Sequence, residues 1–136
     1  MDVLPENMSE TYVDNKAIII LTGTALRELK QLIASNNLHE FYVSAIWRRL
    51  RAEVLREQHN ECYWHRKRGV YVRANHVHHV NHLREHPELA LSKWYLDKDG
   101  IPQRNLIAVC KECHETICHP ERLRHSKPEP WPEDWS

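Results

Sequence analysis

The sequence predicts an α+β domain built around bound metal, with helices in its first half and short strands in its second. Three observations predict it. Apolar residues recur at helical spacing between residues 24 and 59, β-prone runs follow at 70–80 and 106–109, and cysteines and histidines gather in closely spaced groups. At 136 residues and 41% hydrophobic content, the chain has room for one domain with a modest core. Cores of that size are commonly reinforced by a disulfide or a metal, and four cysteines with eleven histidines favour metal. The stretch Ala17–Leu21 is apolar for five positions, too short for a signal-peptide core or a spanning helix. A cytoplasmic, reducing location without membrane partners is expected, and there paired cysteines are read as metal ligands.

The elements follow in chain order. Residues 1–15 are polar and acidic, without sustained period, and are expected to form a loose arm. Ala25, Leu26, Leu29, Leu32 and Ile33 fall at helical spacing and stop at Ser35-Asn36-Asn37, which predicts a short helix and closes an N-terminal unit at residue 35. Between Glu40 and His59, Phe41, Ala45, Ile46, Leu50, Val54 and Leu55 share one face of a second, longer helix. Gly69 then introduces Val70-Tyr71-Val72, and with the extended run around Val77 and Val80 this predicts a β-hairpin. Pro87 suits the first turn of a short helix, and Asp97-Lys98-Asp99-Gly100 reads as a turn. Leu106-Ile107-Ala108-Val109 is a buried strand leading to Cys110 and a final helix from about Glu112. Body residues 36–126 give way to a tail, 127–136, where Pro128, Pro130 and Pro132 exclude regular structure around Trp131 and Trp135.

Charge is uneven although its sum is zero. Residues 48–73 carry eight basic side chains against three acidic ones, Glu53, Glu57 and Glu61, a local excess of five. Arg48, Arg49, Arg51, Arg66, Lys67, Arg68 and Arg73 are the candidate contacts to a phosphate backbone. A solvated helix face would carry the same charges without that role, so charge alone leaves both readings open.

The strongest spacing signal is Cys62-Tyr63-Trp64-His65 paired with Cys110-Lys111-Glu112-Cys113, two knuckles separated by 44 residues. A two-residue gap lets the chain turn so that both side chains of a knuckle converge, and two knuckles supply the four donors of a tetrahedral structural zinc. Buried free thiols beside an incidental histidine are the alternative. Cys118 stands outside the pattern as a buried thiol or a replacement ligand.

Between the knuckles lies Asn75-His76-Val77-His78-His79-Val80-Asn81-His82, and His114 follows the second knuckle directly. Alternation along a strand sends His76, His78 and His82 to one face and His79 to the other, so the adjacent pair serves different partners. One imidazole can hold a divalent ion while its neighbour handles a proton, the two tasks of phosphodiester hydrolysis.

In order and spacing, Cys62-x2-His65, Val77-His78-His79-Val80, Arg104-Asn105-Leu106 and Cys110-x2-Cys113-His114 resemble the HNH endonuclease pattern. The likeness spans about residues 41–124 and includes Phe41-Tyr42, Trp47-Arg48-Arg49-Leu50-Arg51 and His119-Pro120-Glu121-Arg122, similar to small phage-type members. It implies a ββα-metal (His-Me finger) core in which a hairpin and a helix hold one catalytic divalent ion. By position, His79 matches the general base, His78 and His114 the metal ligands, and Asn105 the residue bracing the loop between strands. His119, five positions after His114, is a candidate third ligand. His65 stands where cysteine is usual and His78 where aspartate is more frequent. Imidazole donors admit nickel, zinc or manganese as well as magnesium.

The resemblance further implies a DNA endonuclease of low sequence specificity, nicking as a monomer and leaving 5′ phosphates. Components of phage packaging or restriction are its partners by analogy, and the cytoplasm of a bacterial host its setting. A non-enzymatic zinc-stabilised DNA-binding module would explain the knuckles and arginines without His79, and a zinc-stabilised protein-interaction domain would explain the knuckles alone.

Overall fold

The computed structural model describes residues 5–118. The chain opens on a 3-10 turn, Pro5–Asn7, and a hairpin of β1 (Met8–Val13) and β2 (Lys16–Leu21). Residues 5–15 are therefore not the loose arm that polarity suggested. Asp14 and Asn15 both take positive φ, 51° and 64°, the two-residue turn geometry that matches strand twist. Ile18 and Leu21 of β2 are buried, while β1 stays largely exposed, which is why its sequence reads as polar.

Helix α1 (Gly23–Ala34) follows as expected. Gly23 is required at its start, because φ is +58° and a Cβ there would lie 2.7 Å from Asn7 Oδ1. The long helix expected over residues 40–59 is broken into α2 (His39–Tyr42) and α3 (Ala45–Glu57). Ser44 makes the break: its ψ of 148° is extended, and its hydroxyl both donates to the Phe41 carbonyl at 2.6 Å and accepts from Trp47 N. That is the conduct of an N-cap, and it re-aims α3.

A short helix, α4 (Tyr63–Lys67), carries the first knuckle. The expected pairing of residues 70–72 with 77–80 does not form. Instead β3 (His76–His79) pairs antiparallel with β6 (Leu106–Val109), in the register His76↔Val109 to His79↔Leu106. Residues 70–72 are diverted because the Val72 carbonyl already accepts from Cys62 N at 2.8 Å. Between β3 and β6 come a 3-10 turn, Pro87–Leu89, and a hairpin of β4 (Trp94–Leu96) and β5 (Pro102–Arg104). Asp97 closes that hairpin, its carboxylate accepting from Asp99 N and Ile101 N. After β6, α5 (Lys111–Cys113) runs on into a π-helical turn, His114–Cys118.

Two apolar clusters flank the β3–β6 ribbon. Leu21, Leu29, Leu38, Phe41, Trp47, Val54, Val77, Leu83 and Leu106 form the larger, so the hairpin and α1 share a core with the strand that bears the histidines. Cys62, Ile107, Val109, Cys110 and Cys113 form the smaller, with Tyr63, Trp64 and Val72 against it. Paired residues of a ladder point to the same face, so His76 and His78 lie with Val109 and Ile107 on the knuckle side, and His79 lies with Leu106 on the core side.

Candidate active site and metal centre

The knuckles converge as their spacing predicts. Cys62 caps α4 and Cys110 caps α5, placing each second ligand one helical turn later. One donor atom from each of Cys62, His65, Cys110 and Cys113 lies within 4.8 Å of the other three. His65 Nδ1 is 3.6 Å from Cys110 Sγ and 3.4 Å from Cys113 Sγ. Tetrahedral zinc, with bonds of about 2.3 Å to sulfur and about 2.0–2.1 Å to nitrogen, sets S···N separations of about 3.6 Å, so the donors fit that ion.

The thiols carry the electrostatic mark of crowded donors. Burial pushes the Cys62 thiol up, but hydrogen bonds from the backbone of His65, Cys110 and Trp64 and from the His65 ring outweigh it and bring Cys62 down to about 6. Burial, then the neighbouring Cys110 and Cys62 sulfurs, push Cys113 up to about 12. Three thiolates this close repel one another, and a cation at their centre removes that penalty.

Next to this scaffold the histidines assemble on the same face of the ribbon. His78 and His114 have ring centroids 5.3 Å apart, His76 stacks on His114 at 5.3 Å, and His82 meets His78 at 5.7 Å. His78 and His114 are buried, and His114 N is held by the Cys110 carbonyl at 3.0 Å, tying its position to the knuckle. Burial first, then the charges of Arg51 and Lys111, lowers the His76 pKa below its ordinary value and so disfavours the charged form of the ring stacked on His114. The candidate third ligand His119 lies outside the described residues.

His79 sits on the opposite face, 2% exposed. Its ring stacks on Trp47 at 4.8 Å and 22°, and its Nε2 is 2.9 Å from the Ala90 carbonyl. A carbonyl can only accept, so Nε2 carries the hydrogen and the lone pair of the neutral ring falls on Nδ1. Ala90 is held in turn by Asn105, which is fully buried. The Asn105 amide donates to the carbonyls of Leu89 (3.0 Å) and Ser92 (2.8 Å), either side of Ala90. Its Oδ1 accepts from the backbone and side chain of Asn81 at 3.1 and 2.9 Å. One side chain thus binds both ends of the loop that carries the carbonyl facing His79. Trp47, Asn81 and Ala90 were not among the site residues read from sequence. Trp47 had been noted only within the run Trp47-Arg48-Arg49-Leu50-Arg51 and Asn81 only within the histidine-rich run, and a backbone carbonyl leaves no sign in sequence.

Of the seven candidate phosphate contacts, Arg48, Arg49, Arg66, Lys67, Arg68 and Arg73 are exposed. Arg51 is half-buried and donates to the Asn75 carbonyl at 2.6 Å, so it braces the approach to β3.

A short ribbon, a helix after its second strand, paired histidines and a Cys/His cluster together resemble the ββα-metal core of HNH endonucleases. The solved structure of the HNH endonuclease of the deep-sea thermophilic bacteriophage GVE2, which holds a manganese ion, matches with a TM-score of 0.52 and 25% identity, covering 74% of this chain and 97% of that one. In fold, the chain is thus similar to an HNH endonuclease. No family model and no curated protein sequence matches it. Among the described residues, no helix is long and apolar enough to cross a membrane.

Proposed function

We propose that the chain is a metal-dependent endonuclease that hydrolyses DNA phosphodiester bonds, nicking one strand. The observation that carries this reading is the Asn105 clamp, which aims the Ala90 carbonyl at His79 Nε2. That arrangement fixes ring and tautomer together and makes Nδ1 the basic nitrogen, which in this reading takes a proton from water as a general base. Trp47 holds the ring plane, so little reorientation remains to be done when substrate arrives.

His78 and His114 are the residues proposed to hold the catalytic ion, with His119 as the candidate third. A divalent ion held there would supply positive charge to stabilise the phosphate and the leaving oxygen. Imidazole donors suit manganese, nickel or zinc at least as well as magnesium. Cys62, His65, Cys110 and Cys113 would hold a structural zinc whose knuckle fixes His114. Exposed arginines on α3 and around α4 would bind phosphates rather than base edges, so low sequence specificity and 5′-phosphate products are expected. A cytoplasmic setting belongs to the same proposal.

A supercoiled-plasmid nicking assay tests it, comparing wild type and His79→Ala with Mg²⁺, Mn²⁺, Ni²⁺ and Zn²⁺ added in turn. Wild type nicks only with added divalent ion, and His79→Ala loses nicking while keeping zinc and DNA affinity. If neither protein cuts under any ion while both bind DNA, the zinc-stabilised DNA-binding module replaces the enzyme.

A further inference from the structure

The segment between α4 and β3 places two adjacent large apolar side chains in solvent. Val70 is 50% exposed and Tyr71 65% exposed. Their neighbour Val72 turns inward against the knuckle cluster, so this is a shaped loop whose tip alone is bare. Its backbone is pinned at many points. Gly69 N donates to Arg66 O at 2.9 Å, Val70 N to His65 O at 3.0 Å, Cys62 N to Val72 O at 2.8 Å and Ala74 N to Asn60 O at 2.7 Å, while Arg73 bridges to Glu61. Two of those anchors, Cys62 and His65, belong to the proposed zinc site, so the ion that fits there would hold the loop as well.

The tip is surrounded by positive charge. Arg66, Lys67, Arg68 and Arg73 are all exposed. Glu61 is the one carboxylate between residues 60 and 75, and it pairs with Arg66 at 3.3 Å. Lys67 lies over the Tyr63 ring at 4.6 Å, which holds its ammonium near the surface. A pinned loop with an apolar tip and a cationic collar matches a polyanion with apolar layers inside it, which is duplex DNA. Proteins that insert apolar wedges between base steps compensate the unstacking by wider phosphate contact.

We propose that Val70 and Tyr71 form a wedge that enters a base step of duplex DNA from the minor groove, with Arg66, Arg68 and Arg73 on the flanking phosphates. The proposal rests on the reading that DNA is the substrate. It gives the protein a means of distorting the duplex and a preference for easily unstacked pyrimidine–purine steps.

The test uses the full-length His79→Ala protein, which binds without cutting, and a short duplex whose TA steps carry 2-aminopurine. Binding raises the fluorescence as the base unstacks. Adding Tyr71→Ala abolishes the rise and weakens affinity about tenfold at every salt concentration, since an apolar contact releases no counterions. Tyr71→Phe restores both. Arg73→Ala keeps the rise but lowers the slope of log affinity against log salt by about 0.9. Equal zinc content and thermal midpoints show that these surface variants fold. Retention of the rise in Tyr71→Ala overturns the wedge, as does DNA binding by the parent protein without any rise. Failure of the parent, zinc in place, to bind DNA overturns the DNA reading and the wedge with it.

Discussion

Replacing Asn105 by Ala tests the link between loop and base. The substitution removes four hydrogen bonds, two to the Leu89 and Ser92 carbonyls and two from Asn81, in a fully buried position. At a net contribution of about 0.5–1.5 kcal/mol each, the loss is about 4 kcal/mol, with the Leu89 carbonyl keeping only its bond from Ser92 N. For a domain of this size that corresponds to a fall of roughly 10–20 °C in Tm. The chemical effect should be larger in proportion. Without the clamp the Ala90 carbonyl no longer fixes His79, and the general-base contribution of about 10²–10⁴ in rate is mostly lost. Asn105→Asp is the sharper variant, because it keeps acceptors toward Asn81 but turns an oxygen toward two carbonyl oxygens. The assay is plasmid nicking at saturating DNA, well below the variant's Tm, with DNA affinity measured in parallel. A destabilised Asn105→Ala protein that nicks at the wild-type rate would refute the coupling, and so would a rate loss matched by an equal loss of DNA affinity.

Two further outcomes follow from the geometry. Cys113→Ser should lower zinc content below one equivalent and lower Tm, and a strong chelator should do the same to wild type; binding should release protons, because the Cys113 thiol, held up near 12, must ionise, and calorimetry in buffers of different ionisation heat reads this directly. Glu57 supplies a pH signature: burial raises its pKa, but Lys93 at 2.7 Å and Arg104 at 3.4 Å outweigh that and bring it below the usual carboxylate value. Its folded-state pKa is depressed, so its contribution is present above about pH 4.5 and lost as pH falls through the lowered value. Because the carboxylate is 42% exposed, the effect is a fraction of a kcal/mol, read as a flatter acid limb of Tm against pH in Glu57→Gln.

The Cys/His cluster was more legible than the fold around it, for a physical reason. Donors to one tetrahedral ion must sit at short, fixed separations, so Cys62-x2-His65 and Cys110-x2-Cys113, which the fold brings together, stand out in one dimension. The His78-His79 pair and His114 are likewise marked by residue type and order. Strand partners are not marked in that way. Residues 70–72 have higher β propensity than their surroundings, yet β3 chose β6, because that pairing buries Ile107 and Val109 over the knuckles and Leu106 in the core. Long-range pairing is decided by what both faces bury, which local pattern does not contain. The break at Ser44 was hidden because a helical stripe of apolar residues continues across it. The N-terminal hairpin was hidden because one of its strands buries almost nothing.

The ribbon's register also bears on how much freedom this domain has to change. His79 and Leu106 are cross-strand partners, so everything from residue 80 to residue 105 leaves and re-enters the body at nearly the same place. Closing such an excursion costs little more when it grows, since loop entropy rises only with the logarithm of length. The Asn105 clamp grips the excursion at its start, Asn81, and midway along it, at Leu89 and Ser92, and leaves the β4–β5 tip at Lys98–Gly100 exposed beyond. That tip is a natural port for grafting: a peptide or a second small module could be spliced in there while the histidines of β3 keep their places.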